Sequence, residues 1–171
     1  MTTTSDDAAP SLTLHLEPTG PQERQLLGMA ALYRWLAGHV QIGLGLEAIG
    51  VGTFEVAPLA RLDGGALPPG TLALLEQAWR AGRNLLGPVV DGGEPLPEVA
   101  PEVCGAGLVR AVGEAGVQVH GVDGEVRVAP RSLGALRTCG GPGAMVGAHL
   151  CRSEEGWQLT VWLRRPGSAA V

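Results

Sequence analysis

Lysine is missing from this chain: all twelve basic side chains are arginine. Several chemistries leave with it. A Walker A loop sets a lysine on the β- and γ-phosphates, a protein kinase sets one on its third strand, and Schiff-base enzymes need an amine nucleophile. A codon bias toward Arg, Ala, Gly and Pro accounts for the absence, and the exclusion holds whatever its origin. Aromatic residues are also scarce, with four Trp, one Tyr and one Phe in 171 residues, so each tryptophan needs a reason for its place. The net charge of −5 argues against a surface built for polyanions, although a local basic patch can coexist with an acidic whole.

Cysteine is equally sparse. Cys104, Cys139 and Cys151 make an odd number without paired spacing, which speaks against a disulfide framework and for a reducing compartment, so the expected location is the cytoplasm. The N-terminus MTTTSDDAAPS carries acids where a signal peptide carries basic residues and an apolar run, and it reads as a disordered leader over 1–11. The longest apolar stretch, Leu26 to Val51, is interrupted by Arg34, His39, Gln41 and Glu47. An Arg or Glu at bilayer depth costs about 3 kcal/mol on insertion scales, so a buried helix is expected there and no membrane partner.

What remains is apolar enough to fold: 45% of residues are hydrophobic, and 27 glycines and 13 prolines imply many turns. A single domain over 12–165 with a disordered tail at 166–171 fits the length, because halves of fewer than 90 residues would each bury too little surface. Leu12-Thr13-Leu14-His15-Leu16 alternates with the period of a half-buried strand, His15 facing away from the leucines. Thr19-Gly20-Pro21 starts a helix. Its stripe of Leu26, Met29, Ala30, Tyr33, Leu36 and Ala37 is widened by Leu32 and Trp35, which predicts a central helix ending near Gly38.

Thr53 to Val56 reads as a strand, followed by a loop marked by Asp63-Gly64-Gly65 and Pro68-Pro69-Gly70. Thr71 caps a second helix, with Leu72, Leu75, Trp79, Gly82 and Leu86 at steps of three and four and a stop at Gly87-Pro88. Residues 88–102 are a Pro-, Gly- and Glu-rich surface crossing. Leu108 to Val112 supplies a strand. Val117, Val119, Val126 and Val128 flank Asp123-Gly124, the signature of a two-residue hairpin that would pair Val119 with Val128 and His120 with Arg127. Ser132 caps a short helix to Thr138, and a last hairpin sets Val146, Ala148 and Leu150 against Leu159, Val161 and Leu163 across the turn 153–156. Met145, His149, Cys151, Gln158, Thr160, Trp162 and Arg164 take the other face, with Trp162 opposite Gly147. The sum is an α+β fold: an antiparallel sheet of about five to seven strands with two main helices packed on one face.

Chemistry is harder to place. The stretch Thr138-Cys139-Gly140-Gly141-Pro142-Gly143-Ala144 is the densest in glycine, but a phosphate loop feeds into a helix N-terminus, and this one follows a helix and precedes a strand. It reads as a connection, with Gly140 at the left-handed helix end. Cys139 at a helix C-terminus is poorly placed for activation, with Arg137 as the nearest offsetting charge. His149 and Cys151 share a strand face and could ligate one metal ion together with Cys139, Cys104 or His120, although no CxxC or HxxxH knuckle is present. Arg152, Trp157, Trp162, Arg164 and Arg165 gather on the last hairpin, where arginine beside an exposed aromatic would grip a single-stranded nucleic acid. A Ser132, His120 and Asp91 triad would need convergence that no motif supports.

The leading expectation is a small non-enzymatic binding protein without a cofactor. It would self-associate, or meet a protein partner, through its sheet or the apolar segment Leu44 to Val51. Single-stranded nucleic-acid binding through the Arg/Trp hairpin is the alternative. A thiol- or metal-dependent enzyme is the third reading.

Overall fold

The computed structural model describes residues 10–80 and 106–164. Among the described residues ten regular elements follow one another: β1 (Ser11–Glu17), α1 (Gly20–Ala48), α2 (Ala57–Asp63), α3 (Thr71–Arg80), β2 (Val109–Val112), β3 (Gly116–Val119), β4 (Val126–Val128), α4 (Leu133–Thr138), β5 (Met145–Ser153) and β6 (Gly156–Leu163). The strands form one sheet of order β2-β3-β4-β1-β6-β5, antiparallel at every pairing. The sheet curls until its edges approach, with the turn Ala106–Leu108 against β5 and the turn Pro142–Ala144 against β2. The fold is α+β, as the pattern predicts.

Alternation decides the core. Leu14 and Leu16 of β1, Val117 and Val119 of β3, Val126 and Val128 of β4, Leu150 of β5, and Leu159 and Val161 of β6 all turn inward and are buried. Helix α1 closes this cluster with Leu26, Met29, Tyr33, Leu36, Val40 and Leu44, while α3 adds Leu72 and Leu75 and α4 adds Leu136. Each such side chain contributes about 1.5–3 kcal/mol on leaving water. Thr19 caps α1 through a capping box, its hydroxyl accepting from the Gln22 N–H while the Gln22 side chain accepts from the Thr19 N–H.

Five local expectations are corrected. Ser11, assigned to the leader, is the first residue of β1 and pairs with Trp162. The first helix does not end near Gly38 but continues through Gly43 and Gly45 to Ala48. Internal glycines cost about 1 kcal/mol each, and burial of Val40 and Leu44 offsets that. No strand forms at Thr53 to Val56, because the Phe54 N–H goes to the Glu47 carboxylate at 2.8 Å and its ring lies against Gly43. Helix α2 follows Val56, and the expected loop through Gly64-Gly65 and Pro68-Pro69-Gly70 then leads to α3.

The Asp123-Gly124 hairpin takes another register: Val117 pairs with Val126 and Gly116 with Arg127, four residues away from a tight two-residue turn. The same valines stay buried because the shift is even. Its cause is side-chain capture. Gln22 donates to the carbonyls of Asp123 and Glu125 at 3.0 and 3.1 Å, and Gln25 bonds the Asp123 carboxylate and N–H. The loop is thereby tied to the start of α1. Finally, a bulge between Met145 and Gly147 turns Met145 into the core, so it does not share the outer face with His149. Beyond the bulge the predicted register holds, with Gly147 opposite Trp162, Ala148 opposite Val161 and Leu150 opposite Leu159.

Gly82, Leu86, Gly87-Pro88, the expected crossing at 88–102 and the expected tail at 166–171 lie outside the described residues.

Candidate interaction surface

Two apolar seams run along α1, on opposite sides. The inner one is the core seam. On the outer side, Leu27, Trp35, Ile42, Leu46 and Ile49 are exposed, with Trp35 at 48%, Ile42 at 65% and Ile49 at 74%. Trp35, expected to widen the core stripe, is therefore on the exposed side instead. At 100° per residue these side chains fall on one face, and the positions between them on that face are Gly28, Ala31, Gly38, His39 and Gly45. The strip extends about 33 Å at 1.5 Å per residue without a carboxylate or guanidinium. His39 packs against Trp35 with ring centroids 4.2 Å apart and the planes tilted by 50°, and its Nδ1 lies 2.8 Å from the Trp35 carbonyl.

The far end of the strip is anchored. Gly50, with a φ of 81°, donates to the Glu47 carbonyl, and Val51 donates to the Leu46 carbonyl, a Schellman closure that keeps Ile49 and Val51 at the helix end. Arg80 of α3 bonds Glu47 and Glu76, each at 2.9 Å. That hydrogen bond from Arg80, with help from the Phe54 N–H, holds the Glu47 carboxyl below its ordinary pKa. Both helix ends are thus fixed by polar contacts, and the outer strip is rigidly presented.

The hairpin residues do not gather on one surface. Arg152 and Trp157 are cross-strand partners on the inward face. Trp157 is only 3% exposed, the Arg152 guanidinium carbon lies 6.0 Å from its ring centroid, and Arg152 pairs with Glu23 of α1 at 3.1 Å. Trp162 is half-buried on the outward face and Arg164 half-buried just past the strand's end; the Trp162 ring meets His149 with centroids 5.0 Å apart. Arg165 lies outside the described residues. A base could stack on Trp162 but not on Trp157.

The sulfur and imidazole groups are likewise dispersed. Cys139 caps α4 at its C-terminal end, buried in the apolar cluster, and burial raises its thiol pKa. His149 and Cys151 sit on the other face of β5; burial lowers the pKa of His149 and raises that of Cys151. Among the described residues no group of three or more His, Cys, Asp or Glu side chains could hold a metal ion. His120 is held elsewhere, its N–H on the Leu108 carbonyl and its Nε2 2.8 Å from the Gly65 carbonyl. Ser132 is buried and accepts from the His15 N–H at 3.0 Å, while Cys104 and Asp91 lie outside the described residues.

The glycine stretch is a connection: Gly140 takes the left-handed φ of 66° after α4, and the turn Pro142–Ala144 leads into β5. One apolar recess, lined by Met29, Tyr33, Leu67, Pro68, Thr71, Leu108 and Leu150, holds about 20 Å³, room for about one water molecule. Among the described residues no helix is long and apolar enough to cross a membrane. What the fold and surface define is an α+β domain with an uncharged apolar helix face turned outward. No family model, curated protein or solved structure matches the chain.

Proposed function

We propose that this protein is a non-enzymatic interaction module that self-associates through the outer face of α1. One observation carries the reading: Leu27, Trp35, Ile42, Leu46 and Ile49 are exposed together on one face of a single helix. Isolated apolar side chains on a surface are ordinary, but a contiguous uncharged strip marks an interface. Covering it removes large side chains from water at about 25 cal/mol per Å². The cytoplasm is the proposed setting, in keeping with the free thiols of Cys139 and Cys151.

Sedimentation from micromolar to millimolar concentration tests the idea. The wild type is expected to dimerise, and Ile42→Glu with Leu46→Glu to stay monomeric with an unchanged unfolding curve. A wild type that is monomeric throughout sinks the proposal.

The second reading, single-stranded nucleic-acid binding, rests on Trp162, on the outward face of β6 with Thr160, and on Arg164 just past the strand's end. Its core is smaller than the five-residue cluster in the sequence. Salt-sensitive binding of an oligonucleotide, lost in Arg164→Ala with Arg165→Ala, would support it; no binding at low salt would end it.

A further inference from the structure

The outer face of α1 has a finer pattern than exposure alone. Trp35, Ile42 and Ile49 recur at seven-residue steps, and so do Ala31, Gly38 and Gly45. Interleaved, they alternate by three and four, the spacing of a coiled-coil seam with large residues at one position and small ones at the other. Nothing among the described residues asks for these glycines: a Cβ added at Gly38 or Gly45 would meet no described atom within 4 Å. Each nevertheless costs the helix about 1 kcal/mol relative to alanine. The large residues on the same seam are exposed, so both halves of the pattern point away from the core.

We propose that two copies of the chain pair through α1 in antiparallel orientation, Trp35 of each copy seated on Gly38 of the other and Ile42 on Ala31. This inference rests on the self-association proposed above and specifies its geometry. Packed helices keep a near-constant separation of about 8–10 Å. A parallel pair in register would set Trp35 on Trp35 and Gly38 on Gly38, alternating clash with void. In this antiparallel register a large residue lies over a small one at each of the four central levels, from Ala31 to Ile42.

Charge selects the register. The last turn of α1 contains no basic residue of its own; Arg80 reaches that end at Glu47, on the side away from the strip, so a cation brought to the outer side would still meet the negative end of the dipole. Arg24 lies on the same outer face, near the N-terminal end. With Trp35 over Gly38, Arg24 of one copy falls opposite Ile49, the C-cap of the other, and the arrangement repeats by symmetry at the opposite end. Sliding one heptad further seats Trp35 over Gly45 but carries Arg24 past the helix end. The isologous contact closes as a dimer and offers no surface for growth.

Engineered cysteines read the geometry directly, in a background of Cys104→Ser, Cys139→Ala and Cys151→Ser. Mixing Ala31→Cys with Ile42→Cys under an added oxidant is expected to give the mixed disulfide dimer. Efficient homodimers of Gly38→Cys alone would indicate parallel pairing, and a better yield from Gly38→Cys mixed with Ile42→Cys would indicate the slid register. Either result overturns the geometry while leaving self-association intact. A monomeric wild type overturns both.

Gly38→Leu in the otherwise native chain provides a check that does not depend on the cysteine background. It fills the seat of Trp35 and is expected to raise the dimer dissociation constant at least tenfold without lowering the unfolding temperature of the monomer. Unchanged dimerisation in Gly38→Leu would also overturn the geometry.

Discussion

Gly43 and Phe54 share one volume: the aromatic ring lies where a side chain at position 43 would begin. The only phenylalanine of the chain is thus held against the last third of α1, and its backbone N–H reaches the Glu47 carboxylate. Gly45, two residues on, faces open space. Two glycines in one helix therefore exist for different reasons, and substitution separates them. Gly43→Ala is expected to destabilise by about 1–3 kcal/mol through overpacking, whereas Gly45→Ala should stabilise the monomer by up to about 1 kcal/mol through helix propensity. Urea unfolding at low protein concentration measures both; a shift of the same sign would refute the assignment.

Gln22 is the buried polar residue that ties the 120–125 loop to α1. Gln22→Ala removes the donor for the carbonyls of Asp123 and Glu125 and breaks the capping box with Thr19. A loss of about 1–3 kcal/mol is expected from leaving buried acceptors unmet. Faster amide exchange at Val126 and Val128 should accompany it. A variant as stable as wild type would mean that water replaces the amide without cost.

The two hairpin tryptophans should behave oppositely. Trp157→Ala empties a core site and is expected to cost about 3–5 kcal/mol; Trp162→Ala, on a half-buried outward position, should cost clearly less. If an oligonucleotide binds, its affinity should fall in Trp162→Ala, while any loss in Trp157→Ala should track the unfolded fraction. Thermal melts beside binding titrations decide between these outcomes.

Stability should also decline on the acid side in two separable windows. Burial lowers the pKa of folded His149, so the unfolded chain takes up that proton first. Stability present above the ordinary histidine range near 6.5 is lost as pH falls through the folded value. Glu47, lowered mainly by the Arg80 hydrogen bond, contributes stability above the ordinary carboxylate range that disappears at lower pH. Unfolding temperature measured against pH should lose its upper step in His149→Gln and its lower step in Glu47→Gln. Curves unchanged in shape would contradict both assignments.

Much of the sheet is readable from alternation alone. The leucines of β1 and the paired faces of β5 and β6 follow from period two, and Gly140 ends α4 as a left-handed residue should. The misreadings have a common origin in contacts distant in sequence. Nothing near Asp123-Gly124 announces that Gln22 and Gln25 will hold its loop, and nothing near Thr53 announces that Gly43 leaves room for Phe54. The outer seam of α1 was half visible: Trp35 read as a widening of the core stripe, because position on a helix tells which residues share a face and not which face meets the sheet. The Arg/Trp cluster dissolved for the simplest reason, since Trp157 and Trp162 are an odd number of residues apart on one strand.

The central place of β1 has a consequence for how the chain matures. Its partners β4 and β6 lie more than a hundred residues later, and the Thr13–Thr160 contact spans 147 positions. During synthesis α1 leaves the ribosome well before the hairpin that completes its sheet. Such long-range pairing folds slowly, and until it is complete both seams of α1 face solvent. If the chain self-associates as proposed, nascent chains on one messenger would meet through these helices before either has a finished core.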